Sequence, residues 1–453
     1  MVRVVRYFIL LVSVTTYWAG CAHKEDTQGI TYEQVAPIIH QHCTNCHNPN
    51  GAGPFNLITY HDAFKRAKMI AAVTRTGFMP PWPADTTYSH FAGEKKLNKQ
   101  EIECIQQWVQ QGARAGDTSR IQAPIEAMYA ISRKPDMVLP MTKSLLIPGD
   151  AKDRFLLMKI PYEMPADKFV SAIEFVPGQK KLVHHVNGEL LMYDYDKRKD
   201  VYRGDMTADI NDFENVLKAY EKMELAQDDG SYPTMKLSAV NYLPGVEGMG
   251  YPKGIGGFLM PRKGAYFFKD IHYGPATREL RDSSYLNIWF TDEKPKRITY
   301  EMQMGTLGIS YIEPALVIPP NEVKTFKTQL TITGDMSLLT INPHMHLLGT
   351  KFWAYAVKPT GDTIPLIRIN KWDFRWQYFY TFQKMLHLPQ GTTIYAWGTF
   401  DNTIHNPLNP NHPPKTVSER EGSMRTSDEM FQFIITYLPY QPGDENISLE
   451  QKK

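Results

Sequence analysis

The sequence predicts a multidomain chain in which a small all-α unit is followed by two all-β sandwiches. Three observations carry that expectation. The 453 residues amount to about three domains of ordinary size. Helix-start signatures with apolar stripes gather before residue 115, and beyond residue 122 the apolar pattern has mostly period two. The expected boundaries are a leader at 1–21, a helical unit at 28–115, a first sandwich at 122–305 and a second at 306–445.

The leader carries Arg3 and Arg6, then an apolar run over 7–17. That run falls short of the roughly 18 apolar residues that a spanning helix needs, so it reads as a signal peptide. The sequence Trp18-Ala19-Gly20-Cys21 resembles a bacterial lipoprotein cleavage site, although Trp18 stands where leucine is usual. Lipidation of Cys21 and export to the cell envelope, in the periplasm or on the outer-membrane surface, follow as expectations, with the lipid anchor as the contact with the membrane.

Thr31 with Gln34 three residues on is a capping box opening a short helix toward Cys43. Asn98 with Glu101 opens another, in which Ile102, Ile105, Trp108 and Val109 form an apolar stripe that Gly112 ends. Between them lies Cys43-Thr44-Asn45-Cys46-His47. In a C-x-x-C-H run the two thiols form thioethers to haem vinyl groups and the histidine supplies an axial iron ligand. A vicinal disulfide or half of a zinc site is the plainer alternative, but no second C-x-x-C is present to complete the zinc site. Helices around such a run predict a small cytochrome c with one covalent haem c. Its distal ligand is expected to be Met79, because Gly77-Phe78-Met79-Pro80-Pro81-Trp82 is a proline-stiffened loop able to hold a sulfur in place. Met69 reads as helical core, His61 and His90 are alternative ligands, and Cys104 is a small apolar residue on the last helix.

The polar stretch at 113–124 reads as a linker. Beyond it, Phe326, Thr328, Leu330 and Ile332 alternate with Lys327, Gln329, Thr331 and Thr333, and Pro or Gly separates many such runs. One helix interrupts the strands at 211–226. In the run Lys371 to Tyr380, the residues Trp372, Phe374, Trp376, Tyr378 and Tyr380 share one face if the segment is a strand. An aromatic core is the more common use of such a face, and a substrate-stacking platform the alternative. His387, His405 and His412 are left without a role.

The chemistry lies in His184-His185, His272, His344-Met345-His346 and Met430. Imidazoles bind copper in both oxidation states, and a thioether is soft and favours Cu(I). A set of five imidazoles and one methionine therefore suits two copper ions. His344 and His346 leave the same face of a strand while Met345 points away. His184 and His185 are adjacent, so sharing a metal requires a bulge or a strand end there.

These residues and their local runs, Leu182-Val183-His184-His185-Val186, Pro244-Gly245, Ile271-His272-Tyr273, His344-Met345-His346-Leu347-Leu348-Gly349 and Asp428-Glu429-Met430, resemble the copper type II ascorbate-dependent monooxygenases over 122–445. The resemblance implies that both sandwiches are jelly-roll-like and face each other with their copper sites. It implies an electron-relay copper on His184, His185 and His272, and a dioxygen-activating copper on His344, His346 and Met430. It also implies hydroxylation of an organic substrate with dioxygen and an ascorbate-like reductant. The family's animal enzymes are braced by disulfides, whereas this chain has four cysteines, none after Cys104. Packing alone must hold the sandwiches, which their length permits.

A haem fused to such a chain points to electrons delivered through it from an envelope donor. Two other classes remain: an electron-transfer or copper-handling lipoprotein without oxygenation, and a polymer-binding scaffold without copper. The net charge of +2 with 22% charged residues supplies no basic field for nucleic acid.

Overall fold

The computed structural model describes residues 29–49, 51–122, 133–213, 215–244, 251–252, 254–419 and 427–450. The expected leader with Cys21, the end of the linker and Gly245 lie outside them. Two pairs of antiparallel sheets make up most of the chain. In the first, a five-stranded sheet runs in the order Thr207–Asp209, Arg154–Glu163, Lys263–Tyr273, Val183–Met192, Thr234–Tyr242. It packs on a four-stranded sheet of Met137–Pro140, Tyr285–Thr291, Lys168–Val176 and Phe258–Met260. Alternation puts Leu156, Met158 and Ile160 on the inner face with Val186, Phe268, Phe175 and Ile288, and these make one buried cluster.

The second pair has a five-stranded sheet, Ile312–Glu313, Val323–Thr331, Thr393–Asp401, Gly349–Val357, Thr363–Ile369, over a four-stranded one, Tyr300–Gly305, Phe431–Pro439, Met336–Met345, Tyr380–Leu388. Phe326, Ile341, Phe352, Ile394, Phe400 and Phe433 fill the space between them. The two pairs are pinned together by Tyr251, whose hydroxyl lies 3.2 Å from that of Thr340, and by Arg297, whose guanidinium grips the Asp444 carboxylate.

Five α-helices are present among the described residues: α1 Tyr32–His42, α2 Tyr60–Phe64, α3 Ala67–Arg75, α4 Lys99–Gln110 and α5 Val216–Lys222. The capping boxes at Thr31 with Gln34 and Asn98 with Glu101 are both formed, and Ile105 and Trp108 are fully buried. The helix expected over 211–226 shrinks to α5, preceded by a 3-10 turn at Ile210–Asp212.

The expected fold class needs correction at this end of the chain. The protein is mostly β-sheet and 13% helical, and no all-α N-terminal cytochrome c domain is seen among the described residues. The helices α1 to α4 share an apolar cluster around Val35, Ile39, Ile70 and Trp108, but the chain between α3 and α4 leaves it. Ala84 and Phe91 bridge to Ile369 and Phe382, and both side chains belong to the core of the second sandwich. Trp82 packs on Tyr380, and Asp85 accepts hydrogen bonds from Arg368 at 2.8 Å and Asn370 at 2.9 Å. Phe91 is fully buried and Trp82 half-buried, and both find their apolar partners in the core of the second sandwich and not in the helical cluster, so this connection folds onto the sheets. Met69 differs too: the buried stripe of α3 is Ala67, Ile70, Ala71 and Thr74, which leaves Met69 52% exposed.

Replacing Phe91 by Ala is expected to destabilise the second sandwich by about 3 kcal/mol or more, as for other fully buried aromatics. Urea denaturation followed by sheet signal measures it. An unchanged sheet transition would mean that the N-terminal helices and the sandwich are independent.

Candidate metal centres

The first cluster is built by cross-strand register. His185 is the direct partner of His272 across the Val183–Met192 and Lys263–Tyr273 strands, and a register shift lies between Val183 and His185. That irregularity turns the adjacent His184 and His185 to a common neighbour. The His272 ring lies 4.7 Å from that of His184 and 5.1 Å from that of His185. Gly274 allows this approach, because a Cβ there would meet the His184 ring at 2.6 Å.

Asp153, which no motif singled out, completes the group. Its Oδ1 is 2.7 Å from Nε2 of His272, and one ligand atom from each of Asp153, His184 and His272 lies within 4.8 Å of the other two. A carboxylate on one ring nitrogen fixes the tautomer so that Nδ1 of His272 carries the lone pair. The hydrogen bond from His272 also holds the Asp153 carboxyl below the usual range. Nδ1 of His184 is buried without a hydrogen-bond partner. Burial and the neighbouring His272 push its pKa down to about 4, so the ring is neutral and its buried nitrogen suits a metal. His185 is buried beside this group but does not join its mutual 4.8 Å set.

The second cluster forms where two strands end together. Met345 and Phe431 are cross-strand partners, so His346 and Met430, the next residues outward, leave adjacent strands side by side. Met345 points into the core and is fully buried. The rings of His344 and His346 are 5.0 Å apart. Nδ1–H of His346 donates to the Asp428 carbonyl at 2.8 Å, and Nδ1–H of His344 donates to Oε1 of Gln377. Both rings thereby present Nε2 as the lone-pair nitrogen.

Glu429 holds this end in place. Its buried carboxyl accepts N–H groups of His346 at 2.9 Å and Leu348 at 2.7 Å, one from each side of the turn, and that of Met430 at 3.3 Å. The sequence shows only an acidic residue before Met430. Its burial could not be read there.

The third group is Cys43, Cys46 and His47 after α1. Nδ1–H of His47 donates to the Phe55 carbonyl at 3.0 Å, which leaves Nε2 as its lone-pair nitrogen, and the ring stacks on Phe55. Both thiols are raised by burial, that of Cys43 to about 12. They border a cavity of about 990 Å³ whose walls also carry Met69, half-buried Met79, Trp82 and Tyr378. Met79, the expected distal ligand, and Met69 both line this cavity. His184 lines the same cavity, as do Lys180 and Arg375. His61 and His90 are not among the cavity's lining residues, and Cys104 packs against the helical cluster.

The run 371–379 is not a strand. It forms the connection between Thr363–Ile369 and Tyr380–Leu388. Trp372, Tyr378 and Tyr380 enter the core as the core reading expects, but the buried Phe374 does not. The donor sets fit the groups that the sequence implies. A buried unpartnered imidazole nitrogen and tautomers fixed by neighbours suit copper, and a large, mostly apolar cavity beside a C-x-x-C-H run suits haem.

Residues 302–449 match the model of the copper type II ascorbate-dependent monooxygenase C-terminal domain. The match spans His344, His346 and Met430 and supports that family, which implies copper, dioxygen and ascorbate as reductant. No curated protein matches the chain. A solved structure described as "Structure of infectious bursal disease virus Gt strain" covers 72% of this chain and 77% of that one at 11% identity, with a TM-score of 0.16. A likeness that weak carries no argument.

Burial raises the Glu429 carboxyl to about 8 against three N–H donors that lower it. An acid whose folded pKa is raised contributes stability that is complete below its unfolded value and is lost as pH rises through the folded one. The metal-free protein should therefore lose stability between about pH 5 and pH 8, and Glu429→Gln should flatten that slope. Thermal melts of both proteins across this range are the check; parallel slopes would exclude Glu429 as the titrating group.

Proposed function

We propose that the chain is a copper-dependent monooxygenase that hydroxylates a C–H bond of an organic substrate, with electrons supplied through a covalently attached haem c. The observation that carries this reading is one cavity lined by Cys43, Cys46 and His47 and also by His184. In this reading the Cys43 and Cys46 thiols add across the haem vinyl groups, His47 is the proximal ligand and Met79 the distal one. His184, His185 and His272 hold the relay copper. His344, His346 and Met430 hold the copper at which dioxygen and substrate meet.

Bound copper supplies one-electron redox chemistry, and the reaction R–H + O2 + 2 electrons + 2 protons gives R–OH and water. The chain's own residues prepare it. Asp153, Gln377 and the Asp428 carbonyl fix imidazole tautomers, and Glu429 keeps His346 and Met430 adjacent. The boundaries follow: 28–115 carries the haem, 122–305 the relay site and 306–445 the oxygen site. The electrons come from an envelope donor or an ascorbate-like reductant. We assign the mature protein to the cell envelope, anchored by a lipid on Cys21. Nucleic acid has no part in this reading.

Copper and haem analysis of the reconstituted protein should give two coppers and one haem per chain. Reduced protein should consume dioxygen when offered its substrate class. Haem and copper without any substrate-dependent oxygen uptake would instead mark an electron-transfer or copper-handling lipoprotein. Met430→Ala should weaken Cu(I) binding at the second site more than Cu(II) binding, because the thioether is its soft ligand. Competition titrations in each oxidation state measure this, and equal weakening of both would remove Met430 from the site.

A further inference from the structure

Phe374 is 5% exposed yet belongs to neither sandwich core. Its ring instead lies against imidazoles of both metal clusters. On one side it is 5.9 Å from His185, edge-on at 89°, and 6.2 Å from His272. On the other it is 5.8 Å from His346, edge-on at 85°. The two clusters can therefore be no further apart, ring to ring, than the sum of one contact on each side. The backbone of the same residue serves the second cluster, because its carbonyl accepts the Gln377 amide N–H at 3.0 Å and so turns Oε1 of that amide to His344. The neighbouring Arg375 and Asp373 form a 2.6 Å ion pair that stiffens the connection.

A ring buried against three imidazoles leaves no room for water along that line. We infer that Phe374 is the positioning residue that sets the separation of the two metal sites and keeps the space between them dry. An electron passing from the relay site to the oxygen site then crosses a packed ring and not a water layer. This rests on the reading that both clusters bind copper, and the test separates the two.

The intact protein is loaded with Cu(II), its stoichiometry is measured, and EPR spectra are recorded in H2O and D2O. Fewer than two coppers per chain would defeat the two-copper reading itself. With two bound, the native protein should show dipolar broadening from a fixed copper pair and a deuterium modulation in pulsed spectra no larger than the exchangeable imidazole N–H groups supply. Phe374→Ala should lose that broadening and gain deuterium modulation, whereas Phe374→Tyr, which keeps the ring, should restore the native spectrum. Native broadening and native modulation in Phe374→Ala would overturn the inference. If that variant fails to fold, Phe374→Leu replaces it. Its unplanar side chain should raise the deuterium modulation, and a native spectrum would overturn the inference equally.

Discussion

His185 pairs with His272 across one strand pair and Met345 pairs with Phe431 across another, so both imidazole clusters depend on strand register. Side chains alternate between faces along a strand, and a slip of one residue would send the imidazoles to the wrong side. The apolar alternation that builds each core therefore also fixes the imidazole clusters. Ile271 and Tyr273 are buried on either side of His272, and Phe431 and Phe433 follow Met430 into the core. Glu429 converts the second register into a site, because its carboxyl ties the turn after His346 to the strand that begins at Phe431. Breaking a buried network of this kind is expensive, since each stranded N–H costs about 1–3 kcal/mol.

The connection 371–379 joins what the sheets leave apart. Trp372 and Tyr378 anchor it in the second core, Gln377 orients His344, and Phe374 stands between the clusters. Arg375, Trp376 and Tyr378 form part of the wall of the cavity beside Cys43 and Cys46. The segment 78–97 packs Trp82 and Phe91 on Tyr380. One aromatic seam thus links the haem-type motif, both imidazole clusters and the second sandwich. The N-terminal helices owe their place to it.

Much of this was legible in the sequence. Capping boxes mark α1 and α4 because their signals are local, and the strand Val323–Thr331 follows from its alternation. The adjacency of His184 and His185 called for an irregularity, and a register shift lies there. What could not be read depends on tertiary partners. Asp153 lies beyond any motif spacing from His272, and Glu429 owes its raised pKa to burial. The run 371–380 alternates like a strand, yet only Tyr380 enters one, because pairing depends on a neighbour that sequence periodicity cannot show. The helical segment reads as a separate domain because its caps and stripes are complete. Its attachment is visible only through Ala84, Asp85 and Phe91 on the second sandwich.

In the proposed function a haem in the Cys43–Cys46 cavity and a metal on His184 exchange electrons within one chain. Stopped-flow absorbance under anaerobic conditions, with ferrous haem and Cu(II) in the same molecule, tests it directly. Haem oxidation should then proceed at a rate independent of protein concentration and be slowed by His184→Ala. Haem oxidation that proceeds unchanged after copper is removed, or that scales with protein concentration, would contradict it.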